Sequence, residues 1–258
     1  MLRSVTPSGL PRPATWIAFL VGGFFLYLTF PLLQFRASGL SGLAEFLGAM
    51  VRVPDWSYLP VLAGLLGETI AIAILGTVPA VLLSLPLSLF AARNTTPHVA
   101  VSWLLRLVCS AVRAIPELVW VLLLAGLVGL GVVPGVLALI ITSVSFLVRA
   151  YAESLEVVDP KAIEGVAAQG ASWLGIRTFA VLPQAAPDLI GLSLYWFDVN
   201  LRMSTILGMV GAGGLGLAIT QSAKLFKYER LGMILISVYL LVTLVDRASA
   251  IARRRLVG

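Results

Sequence analysis

An all-α membrane protein is the fold class this sequence predicts, and three observations carry the prediction. Hydrophobic residues make up 59% of the 258-residue chain and charged residues 12%, about half the charged share of an average soluble domain. Mean hydropathy is +1.01. Long apolar runs recur along the chain, several of which reach the roughly 20 residues a helix needs to cross a bilayer core. About six transmembrane helices account for these runs.

The first run, Ala14 to Phe35, is uncharged and follows a basic N-terminus with Arg3 and Arg12. A cleavable signal peptide is the rival reading. The length of the run, and the lack of a clear small-residue cleavage site after it, favour a span. Thr69 to Ala92 is the second span and contains Pro79 and Pro86, which membrane helices tolerate. Leu118 to Val148 is too long for one crossing and short for two. The turn-forming "GLGVVPG" at 129–135 divides it, giving helices at about 114–131 and 134–152. A fifth span lies near 180–203, a glycine-rich apolar stretch follows at 204–223, and a last helix runs from about Leu231 to Ala250. Residues 1–66 thus form an N-terminal span with an external segment, and 67–258 the transmembrane core.

Lys and Arg placement tests the orientation. The N-terminus, the segment Arg93 to Arg113 and the tail "RRR" at 253–255 are basic. Six crossings with both ends in the cytoplasm put all three on the inside. Arg202, Lys224, Lys227 and Arg230 fall at or near the outer side, against the rule. Either 204–223 is re-entrant or these charges have work there. Trp16, Trp56, Trp103 and Trp173 fall near the expected membrane interfaces, where amphipathic rings concentrate.

The composition also removes function classes. The net charge of +6 is scattered or sits at the ends of apolar runs, unlike a nucleic-acid groove. Cys109 is the only cysteine and His98 the only histidine. This excludes an intrachain disulfide and argues against a structural zinc site or Ser-His-Asp chemistry. No G-x-x-x-x-G-K-[ST] phosphate loop occurs, so the chain carries no ATP site of that kind.

Between the fourth and fifth spans, Val157 to Gly191 is polar enough to lie outside the membrane. It opens on Asp159-Pro160, an N-cap acceptor followed by proline at the first helical position. Alanines favour a helix over about 160–172, and Gly170 can end it. On composition alone, an ordinary amphipathic loop helix at the interface fits equally well.

Glu164, Ala168, Gly170, Leu182 and Pro183 resemble the cytoplasmic EAA signature of ATP-binding-cassette (ABC) importer permeases: Glu, six residues to Gly, then a Leu-Pro pair. Gly165 stands where the family usually has its first Ala, and Ala180 where it often has Ile. "RAIPELVWVLLL" at 113–124, "YAESLEVVD" at 151–159 and "SLYWFDVNLRMSTILGMVGAGGLG" at 193–216 are similar to the phosphonate-type permeases. The resemblance covers about Glu68 to Gly216.

It implies the type I ABC importer permease fold, with a cytoplasmic coupling helix whose contact and turn residues are Glu164, Ala168, Gly170, Ala171, Leu182 and Pro183. It further implies a second copy of this chain, two cytoplasmic ATPase subunits that carry ATP and Mg, and an extracytoplasmic phosphonate-binding protein. The setting would be the inner membrane of a bacterium. The chain itself would be no enzyme, and would need no cofactor, metal or nucleic acid.

Charge inside a membrane helix is costly, about 2.5–3.5 kcal/mol near the centre on insertion scales. Asp198 and Arg202 stand four apart on one helix face, acid first, as pairing prefers. One reading is a self-neutralising pair that eases insertion. The other is a polar strip along the translocation path with Tyr195 and Asn200, in which Arg202 favours an anion. Arg113 with Glu117, and Arg149 with Glu153, are spaced alike and read as helix-end anchors.

Gly211, Gly213 and Gly216 form G-x-G-x-x-G, the dinucleotide fingerprint. That motif needs a strand before it and an acid about 20 residues after it. Here an apolar helix precedes it, Glu229 comes too early and Asp246 too late. Together with Gly214, these glycines read as a close-packed bend at a gate or dimer axis. The leading function, implied by the resemblance to the phosphonate-type permeases, is import of a phosphonate, or a related oxyanion such as phosphite. Import of another solute (amino acid, metal chelate, other oxyanion) keeps the same class, and a secondary transporter with a broken helix at 204–223 is the rival from another.

Overall fold

The computed structural model describes residues 13–29, 48 and 55–257. Every long element among them is helical, and no strand occurs among the described residues. The chain divides into two compact units, Met1–Gly48 and Ala49–Gly258. The first contributes helix α1, Pro13–Thr29, whose apolar stretch Phe19–Leu28 is well exposed. The rest of the expected first span, 30–35, lies outside the described residues, as do Arg3, Arg12 and most of the expected external segment.

The second unit opens with a short 3-10 turn, Trp56–Tyr58, and helix α2, Leu59–Ala91. Helix α2 starts ten residues before the expected Thr69 and absorbs both Pro79 and Pro86. Then come α3, Val99–Ala114, α4, Glu117–Val128, and α5, Val132–Glu156. The 160s hold α6, Pro160–Ala168, and a one-turn helix α7, Trp173–Ile176. A π-helical turn, Arg177–Val181, leads into α8, Leu182–Leu207. A second such turn, Gly208–Ala212, precedes α9, Gly214–Lys224, and α10, Tyr228–Val257, closes the chain.

Three segments are each long and apolar enough to cross a membrane: Trp56–Ala91, Val132–Glu156 and Tyr228–Arg254. Two more qualify as bent pairs, α3 with α4 at 86° and Trp173–Ala212 with α9 at 55°. The chain is a multi-pass membrane protein.

The first bend corrects an expectation. The helix expected at 114–131 runs only from Glu117 to Val128, and the basic segment 93–113 contains helix α3. Pro116 is the cause. It supplies no N–H and drives the preceding residue out of the helical region, and Ile115 sits at φ −95°, ψ 123°. Alone, α4 spans about 18 Å at 1.5 Å per residue, well short of a bilayer core.

Helix α3 turns both polar and apolar residues inward, Ser102 and Arg106 beside Leu105 and Cys109. Val99, Trp103, Leu104, Leu107 and Val108 are exposed, while Ser102 and Cys109 are buried. Ser102 Oγ and Arg106 Nε both donate to the Ala91 carbonyl, at 2.6 and 3.0 Å, which ties α3 to the end of α2. Arg106 also pairs with Glu156 at 2.6 Å, and the Arg93 backbone N–H donates to the same carboxylate.

The largest core cluster joins α2, α3, α5 and α8 around Tyr151, Leu147, Val148 and Leu155, all fully buried, with Ala80, Ala91 and Ala185 beside them. Lipid is as apolar as leucine, so close packing and hydrogen bonds between helices, rather than hydrophobicity, hold such a bundle together. Small residues supply the close approach. A Cβ on Gly76 would lie 2.7 Å from Leu139 Cβ, and one on Gly135 2.6 Å from Ala212 Cβ.

Candidate functional site

The segment after α5 folds as its sequence requires. Asp159 caps α6 by accepting from the Lys161 N–H at 3.0 Å, and Pro160 occupies the first turn. Gly170 leaves the helix at φ 77°, a conformation that favours glycine. Ser172 then caps α7 by accepting from the Gly175 N–H. Ile163 packs against the main core, whereas Glu164, Ala168 and Gly170 are exposed. Ala171 is half-buried in the turn. Leu182 packs on the core and Pro183 is exposed at the start of α8.

Sequence reasoning missed Arg177, the residue that braces this segment. It is 6% exposed, with its guanidinium 3.4 Å from the centre of the Trp173 ring. It donates to the Trp173 carbonyl at 2.6 Å and to the Thr95 carbonyl in the α2–α3 connection. A cation between an aromatic face and two carbonyls is held by several contacts at once. The only sequence signal is an arginine four residues after a tryptophan.

Along α8, the four residues read as one polar strip separate. Tyr195 and Arg202 are exposed, and Asp198 and Asn200 are buried. Asn200 donates to Thr77 Oγ1 and to Ser143 Oγ, both at 2.9 Å, joining α8 to α2 and α5. The expected i, i+4 ion pair is corrected. Arg202 pairs with Asp246 of α10 at 3.9 Å, and Asp198 accepts from Ser249 Oγ of α10 at 3.1 Å. Helix α10 packs against α8 and offers both partners, so contacts between helices displace the one within a helix.

The other two spacings also find different partners. Arg113 stacks over the Phe146 ring at 5.2 Å, because Pro116 turns Glu117 away on a new helix. Arg149 donates to Ser110 Oγ at 2.9 Å instead of pairing with Glu153.

The glycine stretch is a bend. Gly211, Gly213 and Gly214 have φ of 106°, 89° and 62°, values that side chains rarely adopt. Gly216 packs against Gly208 with no room for a Cβ on either. The Leu215 N–H donates to Thr69 Oγ1 at 2.9 Å, anchoring the start of α9 to α2. A Cβ on Gly213 would lie 2.5 Å from the Glu68 carboxylate.

The profile of binding-protein-dependent transport system inner membrane components matches residues 84–258. The chain belongs to this family. It is 41% identical over 190 residues to the phosphate-import permease protein PhnE of Mycolicibacterium smegmatis, covering 74% of this chain and 36% of that protein. The chain thus spans about a third of that relative's length. It is 37% identical over 217 residues to the phosphite transport system permease protein PtxC of Stutzerimonas stutzeri, covering 84% of this chain and 78% of that one. The MetNI methionine ABC transporter, solved in an inward-facing conformation, superimposes with a TM-score of 0.67 at 20% identity, over 78% of this chain and 99% of that one. The fold is that of type I ABC importer permeases.

Proposed function

We propose that this chain is the transmembrane permease subunit of an ABC importer that carries a phosphonate, or a related phosphorus oxyanion such as phosphite, across the bacterial cytoplasmic membrane. The observation that carries this reading is the 37% identity with the phosphite permease PtxC over 84% of the chain. ATP and Mg reside on two cytoplasmic ATPase subunits. An extracytoplasmic binding protein delivers the substrate, and a second copy of the chain completes the channel. Both termini lie in the cytoplasm. The chain performs no catalysis of its own.

Helix α6 is the coupling helix in this reading. Its exposed Glu164 is free to meet an ATPase, Gly170 and Ala171 form the turn, and Ala168 completes its outer face. Leu182 and Pro183 start the helix that carries motion into the bundle. Arg177 makes the segment a stiff lever by tying it to the α2–α3 connection. The bend at Gly211, Gly213, Gly214 and Gly216 forms a gate, and Tyr195, Asp198, Asn200 and Arg202 belong to the helix that moves with it.

The glycine betaine/proline betaine permease ProW of Escherichia coli is also related, at 27% identity over 73% of the chain. Import of another small solute is therefore the second reading. Uptake of radiolabelled phosphite, methylphosphonate and glycine betaine by cells expressing the complete system separates the two. Uptake of glycine betaine that excess phosphite does not compete, without uptake of either phosphorus compound, would favour the second.

A further inference from the structure

Glu68 is a carboxylate that the bundle leaves unpaired. It stands nine residues after the start of α2, about 14 Å along the helix at 1.5 Å per residue, within the apolar segment Trp56–Ala91. It is half-buried, yet it makes no salt bridge and no hydrogen bond among the described residues. Its oxygens reach the surface of the chain, unlike the enclosed Oε2 of Glu117. On the same helix face, Gly64 and Ala71 are small and exposed, and a Cβ on Gly64 would meet nothing within 4 Å. The space beside the carboxylate is therefore open. Ionisable groups in a span face protein or water rather than lipid, so a carboxylate without a protein partner calls for water beside it.

The other side of Glu68 touches the glycine bend. A Cβ on Gly213 would fall 2.5 Å from Glu68 Oε1 and 3.0 Å from Val132 Cγ2. The next residue, Thr69, accepts from the Leu215 N–H at 2.9 Å, and a Cβ on Gly214 would fall 2.6 Å from its Oγ1. The carboxylate thus sits where α2, the start of α5 and the entry to α9 converge. We propose that Glu68 is an electrostatic seal of the closed gate: its charge, set against the bend, repels anions from the path until the bend moves. This rests on the reading of the bend as the gate of an oxyanion importer. Such an importer must hold its cargo against leakage when ATP is absent, and a gate made of glycines has little bulk with which to do so. Like charges a few Å apart repel far more strongly in low-dielectric surroundings than in water, so a single carboxylate there bars a small anion. When α8 moves, Gly213 leaves Glu68, and the passing anion no longer meets the carboxylate at close range.

Leak in the absence of ATP tests the seal. Proteoliposomes holding the permease–ATPase complex are loaded with labelled phosphite or with uncharged erythritol, and efflux is followed. Glu68→Gln, which keeps the shape, should speed phosphite efflux tenfold or more over the wild type and leave erythritol efflux unchanged. Glu68→Asp, which keeps the charge, should leak less phosphite than Glu68→Gln. Phosphite efflux from Glu68→Gln at the wild-type rate would overturn the seal. Equal acceleration of both solutes would overturn it too, since that marks a loosened bend rather than a lost charge. ATP-driven phosphite uptake by the same vesicles, with loaded binding protein outside, reads the proposed function separately. Uptake without a leak in Glu68→Gln removes the seal alone, and an anion-selective leak without uptake removes the proposed cargo and keeps the seal.

Discussion

Gly208 and Gly216 meet back to back where α8 turns into α9: a Cβ built on Gly208 falls 2.9 Å from Gly216 Cα, and one on Gly216 falls 2.7 Å from Gly208 Cα. The surrounding atoms are backbone, which cannot swing aside, so a side chain at either position must push the two segments apart.

Gly216→Ala should therefore destabilise the detergent-solubilised protein by about 1–3 kcal/mol, the usual cost of overpacking. A thermal-unfolding midpoint lowered by several degrees is the expected reading, with uptake reduced. Gly213→Leu meets Glu68 and demands φ of 89° from a leucine, so it should impair transport at least as severely. An unchanged midpoint in Gly216→Ala would mean that the bend is looser than described.

Asn200 joins three helices through Thr77 and Ser143. Bonds of this kind between membrane helices are worth about 0.6 kcal/mol each on average, and up to about 1.7. Asn200→Leu loses both and leaves two buried hydroxyls to re-pair, so a loss of about 1–3 kcal/mol is expected in denaturant titration. Asn200→Gln should recover part of it.

Arg177→Ala should loosen the α6–α7 segment without unfolding the bundle, since its partners, Trp173 of the one-turn α7 and Thr95 of the α2–α3 connection, lie outside the long helices. Hydrogen exchange over residues 160–181 should accelerate tenfold or more, while the core of α5 stays protected. Equal acceleration in both would place Arg177 in the global core instead.

At the other end of α2, Asp55 accepts from Ser57 Oγ at 2.5 Å and from Arg230 Nε at 2.7 Å. The Ser57 hydrogen bond first, and then Arg230, hold its carboxyl below the ordinary value of 3.8. A depressed folded-state pKa stabilises the protein above the unfolded pKa, and that contribution is lost as pH falls through the folded one. The stability difference between wild type and Asp55→Asn should accordingly be present at pH 7 and vanish in acid below pH 3.8. Thermal unfolding across that range measures it, and a difference that grows in acid would reverse the sign.

The apolar runs near 69–92, 134–152 and 231–250 mark true helices, because a long charge-free stretch has few alternatives in lipid. Their ends were not legible: α2 begins at Leu59 and α10 ends at Val257, both reaching past the charges and turn residues used as boundaries. The cap at Asp159 and the exit at Gly170 were readable because each depends on neighbours in sequence. The partners of Asp198, Arg202, Arg113 and Arg149 were not, since neighbouring elements compete with the i, i+4 contact. Pro116 carried the signal for the bend, but its presence in "RAIPELVW" did not distinguish a helix start from a break in a span.

The most direct test of the central claim is uptake of labelled phosphite and methylphosphonate into proteoliposomes holding the permease with its ATPase, loaded binding protein outside and ATP inside. Uptake should require ATP and be indifferent to ion gradients. Glu164→Arg on the exposed face of α6 should cut it tenfold or more while the bundle stays folded. Uptake driven by an ion gradient without the ATPase, or full uptake in Glu164→Arg, would contradict the assignment.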